Sequence, residues 1–214
     1  QKHLRAGAKN VILSAPAKSE EIPTVVHGVN SDDGDIKSCA SCTTNCITPV
    51  VEIMERRIGV EKAIMSTIHA YTSSQGIVDG PAKKVRRGRS GAVNIVPTST
   101  GAAKATTKVL PEFTGKFDGA ALRVPVPVGS VADMVFLTKE NLTSEELNRI
   151  FREEADSDKY RGIVDVSDEH LVSTDIIQNP EATIVDLTMT QVVDGNMVKI
   201  MSWYDNEWGY ASQM

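Results

Sequence analysis

Aromatic residues are scarce in this chain, 5% of its 214 residues, and cysteine is scarcer still, with three. All three fall within eight residues (Cys39, Cys42, Cys46), and an odd, clustered count excludes a disulfide framework. It points instead to an intracellular protein with a chemical or metal-binding cluster. Positive charge is not in excess. With 23 basic against 28 acidic residues the formal charge is −5, which removes any global attraction to nucleic acid or an anionic membrane. No apolar run approaches the roughly 18 residues that a membrane-spanning helix requires. The opening Gln1-Lys2-His3-Leu4-Arg5 has no apolar core of a signal peptide behind it. A Gly-rich phosphate loop is also missing from the start, and the first residue is not Met, so the chain reads as part of a longer protein. Its length still suffices for a substantial core.

What is present begins like the tail of an α/β unit. Lys2–Ala6 predicts the end of a helix stopped by Gly7, and Val11–Leu13 a short buried strand. A second strand is expected over Thr24–Val29, and the Asp/Gly/Ser-rich Asn30–Lys37 reads as a junction. A helix then starts at or just after Cys42. Its apolar residues Ile47, Val50, Val51, Met54 and Ile58 share one face, Pro49 predicts an irregular or kinked first turn, and Gly59 ends it. Strands are expected at 63–68, 120–126, 131–138, 182–190 and 198–203, and helices at 101–110 and 143–155. Thr143 and Glu146 have the spacing of a capping box. Several strands with few helices between them predict an α+β fold: a mixed, largely antiparallel sheet with helices on one face.

The cysteine cluster admits a metal site, a disulfide, a nucleophile or small buried core residues. A metal or iron–sulfur site needs more than three ligands, and His3, His27, His69 and His170 have no ligand spacing with the cysteines. Helical side chains four apart have Cβ atoms about 5–6 Å apart, too far for a disulfide between Cys42 and Cys46, which needs roughly 3.5–4.5 Å. A thiol at a helix N-terminus meets free N–H donors and the positive dipole end, which favour thiolate. Lowering a pKa near 8.5 to about 6 raises the ionised fraction at pH 7 from about 3% to about 90%.

His69 ends an apolar strand, where a histidine serves as a hydrogen-bonded core residue or, beside a nucleophile, as a base. Lys83-Lys84-Val85-Arg86-Arg87-Gly88-Arg89 reads as a solvated basic loop, a nucleic-acid patch or an anion site; it lacks interleaved aromatics. Thr98-Ser99-Thr100-Gly101 precedes a helix and reads as an ordinary cap or a phosphate nest. Arg123 lies in the apolar run Ala120–Val124 and needs an anion, which Asp118, Asp133 or a ligand could supply.

Ser38-Cys39-Ala40-Ser41-Cys42-Thr43-Thr44-Asn45-Cys46 resembles the active-site segment of the phosphorylating glyceraldehyde-3-phosphate dehydrogenases. The likeness continues in order through His69–Thr72, Pro97–Ala105, Lys108–Pro111, Arg123–Pro127 and Ser202–Glu207. The resemblance implies Cys42 as nucleophile and His69 as base. It assigns Ser41, Thr43, Thr100, Gly101 and a basic-loop arginine, taken as Arg87 rather than Arg89, to the attacking phosphate. Thr72 and Arg123 would hold the substrate's own phosphate. Ser14, Asn206 and Tyr210 would meet the nicotinamide end of NAD, with NADP not excluded. No metal is implied.

The implied substrates are glyceraldehyde 3-phosphate and inorganic phosphate. The implied setting is a cytoplasmic homotetramer without membrane or specific nucleic-acid contacts. The related erythrose-4-phosphate dehydrogenases and a non-catalytic binding fragment are the alternatives. The expected organisation is a dinucleotide-domain remnant over 1–37, a catalytic domain over 38–204 and the start of a C-terminal helix over 205–214. Alone, the chain is expected not to turn over, because most groups that hold the dinucleotide lie outside it. Cys39 departs from the family, which more often has Asn there.

Overall fold

The computed structural model describes residues 2–214. Its opening holds a short helix α1 (Lys2–Arg5) and two parallel strands, β1 (Val11–Leu13) and β2 (Ile36–Ser38). The second strand therefore lies in the stretch read as a junction, not over 24–29. Thr24 makes only an isolated bridge to Ser38. Beyond it Asn30 Oδ1 captures the Val26 N–H at 2.8 Å and Gly28 takes φ +75°, a turn that β-branched neighbours alone do not reveal.

Helix α2 (Cys42–Arg57) follows, then β3 (Val60–Ala70), β4 (Val96–Ser99), α3 (Ala102–Val109), β5 (Phe117–Val124) and β6 (Ser130–Thr138). The chain ends with α4 (Ser144–Ala155), β7 (Val164–Ser167), β8 (Thr183–Asp186), β9 (Gln191–Val193), β10 (Met197–Tyr204) and α5 (Trp208–Ser212). The main sheet runs β4-β5-β3-β6-β10-β8-β7, with β9 paired to β10. Among the described residues only β3–β5 and β7–β8 pair in parallel within this sheet. The fold is the predicted α+β arrangement of a mixed, mostly antiparallel sheet.

Period-2 alternation sorts the two faces. Met65, Thr67 and His69 of β3, Ala132, Met134 and Phe136 of β6, and Val198, Ile200, Ser202 and Tyr204 of β10 are buried. The apolar members of this set join α2 residues Ile47, Val50 and Met54 and α4 residues Leu147 and Phe151 in one core. The opposite face leaves Ile64 61% and Met197 50% exposed.

α2 runs unbroken through Pro49 and is buried on every side from Thr43 to Val51, not on one face. Burial on that scale overrides the local cost of an interior proline, about 3 kcal/mol. Gly59 ends the helix at φ +83°. The capping box at Thr143 and Glu146 forms as its spacing predicts. The strand expected over 182–190 stops at Asp186, whose Oδ1 accepts both the N–H and the hydroxyl of Thr188 and turns the chain.

Candidate active site

Cys42 is the first residue of α2. Ser41 caps the helix in an extended conformation, and its Oγ accepts the Thr44 N–H at 3.2 Å. Immediately upstream Ala40 is buried at φ +56°. A left-handed alanine costs roughly 1–2 kcal/mol, and the bend it makes delivers the chain to the helix start. Tyr210 Oη donates to the Ala40 carbonyl at 3.3 Å and braces that bend.

The β3 alternation turns His69 toward the same helix, and its Nε2 lies 3.4 Å from Cys42 Sγ. On the other side of the ring, Nδ1 is 2.7 Å from the Ala70 carbonyl. Nδ1–H given to that carbonyl leaves Nε2 bare toward the thiol, whereas an Nδ1 that accepts from Arg123 turns Nε2–H toward the sulfur. Arg123 Nη1 lies 2.7 Å from the same Nδ1 and donates to the Ala70 carbonyl at 2.8 Å. Burial, aided by the Arg123 charge, pushes His69 down to about 4, so the imidazole is neutral at pH 7.

Burial pushes the Cys42 thiol up, against the N–H and hydroxyl of Thr43 and the Arg123 charge, which favour thiolate. The helix N-terminus alone predicted a ready thiolate. Desolvation outweighs it here, and the resting pair is thiol and imidazole. Cys46 is buried against Thr183 Oγ1 at 3.3 Å and is pushed up to about 12 by desolvation. Cys39 is also raised by burial, and all three thiols are free.

Neither acid considered for Arg123 reaches it. Asp133 pairs with Lys199 at 3.1 Å, and Asp118 Oδ1 accepts the Gly119 N–H at 2.7 Å. Among the described residues Arg123 Nε is buried without a hydrogen-bond partner. Arg87 Nε donates to Thr98 Oγ1 at 3.1 Å, and its charge bears on both His69 and Arg123. Arg89 turns away to an exposed pair with Asp79 at 2.7 Å. Arg123 thus lies against the imidazole, Arg87 acts on it as a more distant charge, and neither makes a salt bridge among the described residues.

The remaining residues singled out in the sequence make mainly local contacts. Ser41 Oγ lies 2.9 Å from Thr44 Oγ1, and Thr72 Oγ1 lies 2.9 Å from Ser74 Oγ. Thr100 Oγ1 accepts the Ala102 N–H at 3.1 Å, and Gly101 caps α3 with nothing within 4 Å of where a Cβ would stand. Ser14 is exposed just past β1. Asn206 is buried. Its Oδ1 accepts from Gly129 N–H and Ser130 Oγ, each at 3.1 Å, and its Nδ2 donates to Glu207 at 3.2 Å.

Sequence reasoning missed Tyr204, whose ring stands edge-on to His69 with centroids 6.0 Å apart. Its hydroxyl lies 2.9 Å from Thr43 Oγ1 and 2.8 Å from Thr67 Oγ1. The available signal was a tyrosine closing an apolar strand, since a buried phenol needs hydrogen-bond partners. Among the described residues no helix is long and apolar enough to cross a membrane.

A family model described as glyceraldehyde 3-phosphate dehydrogenase, C-terminal domain, matches residues 41–206. The chain is 47% identical over 219 residues to a glyceraldehyde-3-phosphate dehydrogenase of Streptomyces coelicolor, covering 100% of this chain and 65% of that protein. It is 48% identical to glyceraldehyde-3-phosphate dehydrogenase 2 of Bacillus subtilis and 49% to the Mycobacterium avium enzyme, covering 99% of this chain and 63% of each. It therefore spans somewhat under two thirds of the length of these relatives. A capped cysteine beside a strand histidine, set in an α+β sheet that the C-terminal-domain model matches, makes this chain a member of the glyceraldehyde-3-phosphate dehydrogenase family.

Proposed function

We propose that this chain carries the catalytic centre for phosphate-dependent oxidation of glyceraldehyde 3-phosphate to 1,3-bisphosphoglycerate. One observation carries the reading: a thiol 3.4 Å from a neutral imidazole, with the Arg123 guanidinium against the ring, the Arg87 charge bearing on it, and no carboxylate partner for either arginine among the described residues. A thiol and base call for an electrophilic carbon, and unpaired guanidiniums call for phosphate.

Cys42 Sγ attacks the aldehyde carbon as its proton passes to His69 Nε2. The carbonyl π pair moves to oxygen, which takes that proton back and leaves a thiohemiacetal. His69 then accepts the hydroxyl proton as the carbon loses hydride, and a thioester remains on Cys42. A phosphate oxygen attacks the thioester carbon, the C–S bond breaks, and the sulfur recovers its proton from His69. The Cys42 N–H and the His69 side chain suit the developing oxyanion. Arg123 and Thr72 hold the substrate phosphate, and Ser41, Thr43, Arg87, Thr100 and Gly101 the attacking one.

NAD or NADP supplies the hydride acceptor when bound. The residues present fit its nicotinamide end. Asn206 Oδ1 is filled by two donors, which leaves one Nδ2 hydrogen for a carboxamide oxygen. The Tyr210 ring and the Ser14 hydroxyl would complete this end. None of the three meets the adenosine ribose that separates NAD from NADP. The relatives' family membership also supports a homotetramer, for which the open sheet face bearing Ile64 and Met197 is the surface to pair.

In the full-length enzyme Cys42→Ala is expected to abolish aldehyde oxidation and iodoacetamide labelling, while Cys46→Ala keeps most of both. Steady-state assays with mass-spectrometric mapping check this, and an active Cys42→Ala enzyme overturns the reading.

A further inference from the structure

Ser130 has no part in the reaction as described, yet its hydroxyl joins two sides of the site. It opens β6 and is 1% exposed. The antiparallel ladder between β3 and β6 ends at the pair Ile68–Val131, and beyond it Ser130 Oγ accepts the Ala70 N–H at 3.2 Å. The carbonyl of Ala70 lies 2.7 Å from His69 Nδ1 and accepts Arg123 Nη1 at 2.8 Å. On its other side Ser130 Oγ lies 3.1 Å from Asn206 Oδ1.

Backbone donors fix every direction along this row, because a backbone N–H can only donate. Gly129 N–H meets the Asn206 amide at 3.1 Å, so the atom that receives it is the oxygen. Gly129 is pressed against the Ser173 carbonyl, where a Cβ would not fit, and its N–H is not free to turn away. The Ala70 N–H engages Ser130 as an acceptor, which leaves the one hydroxyl proton for Asn206 Oδ1. A reversed amide would set Nδ2–H against the Gly129 N–H with no acceptor between them. Nδ2 therefore faces the other way, with one hydrogen on Glu207 Oε1 at 3.2 Å and the other uncommitted among the described residues.

We propose that Ser130 is a positioning residue for the nicotinamide end of the cofactor: its hydroxyl holds the Asn206 amide with Oδ1 inward, so that Nδ2–H is presented to a carboxamide oxygen. The same serine oxygen takes the Ala70 N–H, so the amide that reads the carboxamide and the peptide beside the base belong to one row of hydrogen bonds.

This inference rests on Asn206 meeting the carboxamide, and its test separates the two. Calorimetry on the full-length enzyme compares NAD with ADP-ribose, which lacks the nicotinamide. Ser130→Ala should weaken NAD about fivefold, the worth of one hydrogen bond, and leave ADP-ribose unchanged. A merely structural loss would weaken both alike. Asn206→Ala should weaken NAD at least as much, and the double variant no further than Asn206→Ala, because the serine acts through the amide. Unchanged NAD affinity in Ser130→Ala, equal losses on both ligands, or losses that add overturns the proposal while leaving the carboxamide contact standing. If Asn206→Ala binds NAD as the parent does, the carboxamide contact itself fails and the proposal with it. If Ser130→Ala does not fold, Ser130→Cys keeps the side chain's size with a weaker donor, and a parental ratio of NAD to ADP-ribose affinity there overturns the proposal equally.

Discussion

At the scale of single residues, Arg123 shows how one side chain bears on two parts of the site. Its Nη1 lies 2.7 Å from His69 Nδ1, and its Nε is buried without a partner. Arg123→Ala should therefore do two separable things. Oxidation of a phosphorylated aldehyde should fall far more than that of glyceraldehyde, because the charge-assisted contact to phosphate proposed for Arg123 is lost. The His69 pKa should also rise from about 4, since a neighbouring cation that opposes imidazolium is gone while burial remains. Comparative kinetics and an NMR titration of the imidazole check the two effects, and equal losses on both aldehydes would make the arginine structural. His69→Asn should cost turnover about 10²–10⁴-fold, the usual worth of a general base. Unchanged turnover would return His69 to a core role. The cysteine's place was legible, because a cap residue followed by helical periodicity marks a helix start. That the thiol would rest protonated was not, since desolvation depends on what the rest of the chain packs around it.

At the scale of elements, the far end of α2 is held by ion pairs, as the Cys42 end is held by its cap. Arg56 and Arg57 both pair with Glu154 of α4, Arg56 also pairs with Glu52, and Glu52 receives Lys159 at 2.7 Å. Burial alone would raise Glu154, but hydrogen bonds from the two arginines overcome it and hold its carboxyl below 4.5. A carboxyl lowered by folding adds stability that is full above its unfolded value and is lost as pH falls through the folded one. Thermal stability should then decline below about pH 4.5. Glu154→Gln should lose about 1 kcal/mol at neutral pH and flatten that decline, because its arginine partners are partly exposed to screening solvent. Calorimetry from pH 3 to 7 checks both, and a wild-type slope in the variant would assign the acid sensitivity elsewhere. The long elements were readable because α2, β3, β6 and β10 carry clear apolar periods. β9 and the stop at Asp186 were not, because three-residue strands and side-chain turns leave little pattern.

At the scale of the whole molecule, catalysis and assembly are assigned to opposite faces of one sheet. Ile64→Lys with Met197→Lys places charge on the open face without entering the core, since both side chains are half or more exposed in the single chain. The double variant should shift the full-length protein to smaller species in analytical ultracentrifugation, while the secondary-structure spectrum stays that of the parent. An unchanged assembly would move the interface elsewhere. Strand β3 belongs to both faces: Met65, Thr67 and His69 point one way, Ile64 and Ile68 the other. Because the two sets interleave residue by residue, a slip of one position would present Ile68 to the thiol and His69 to the open face. Register and site are then one decision, because a chain that pairs β3 wrongly turns its histidine out of the core together with the apolar residues beside it.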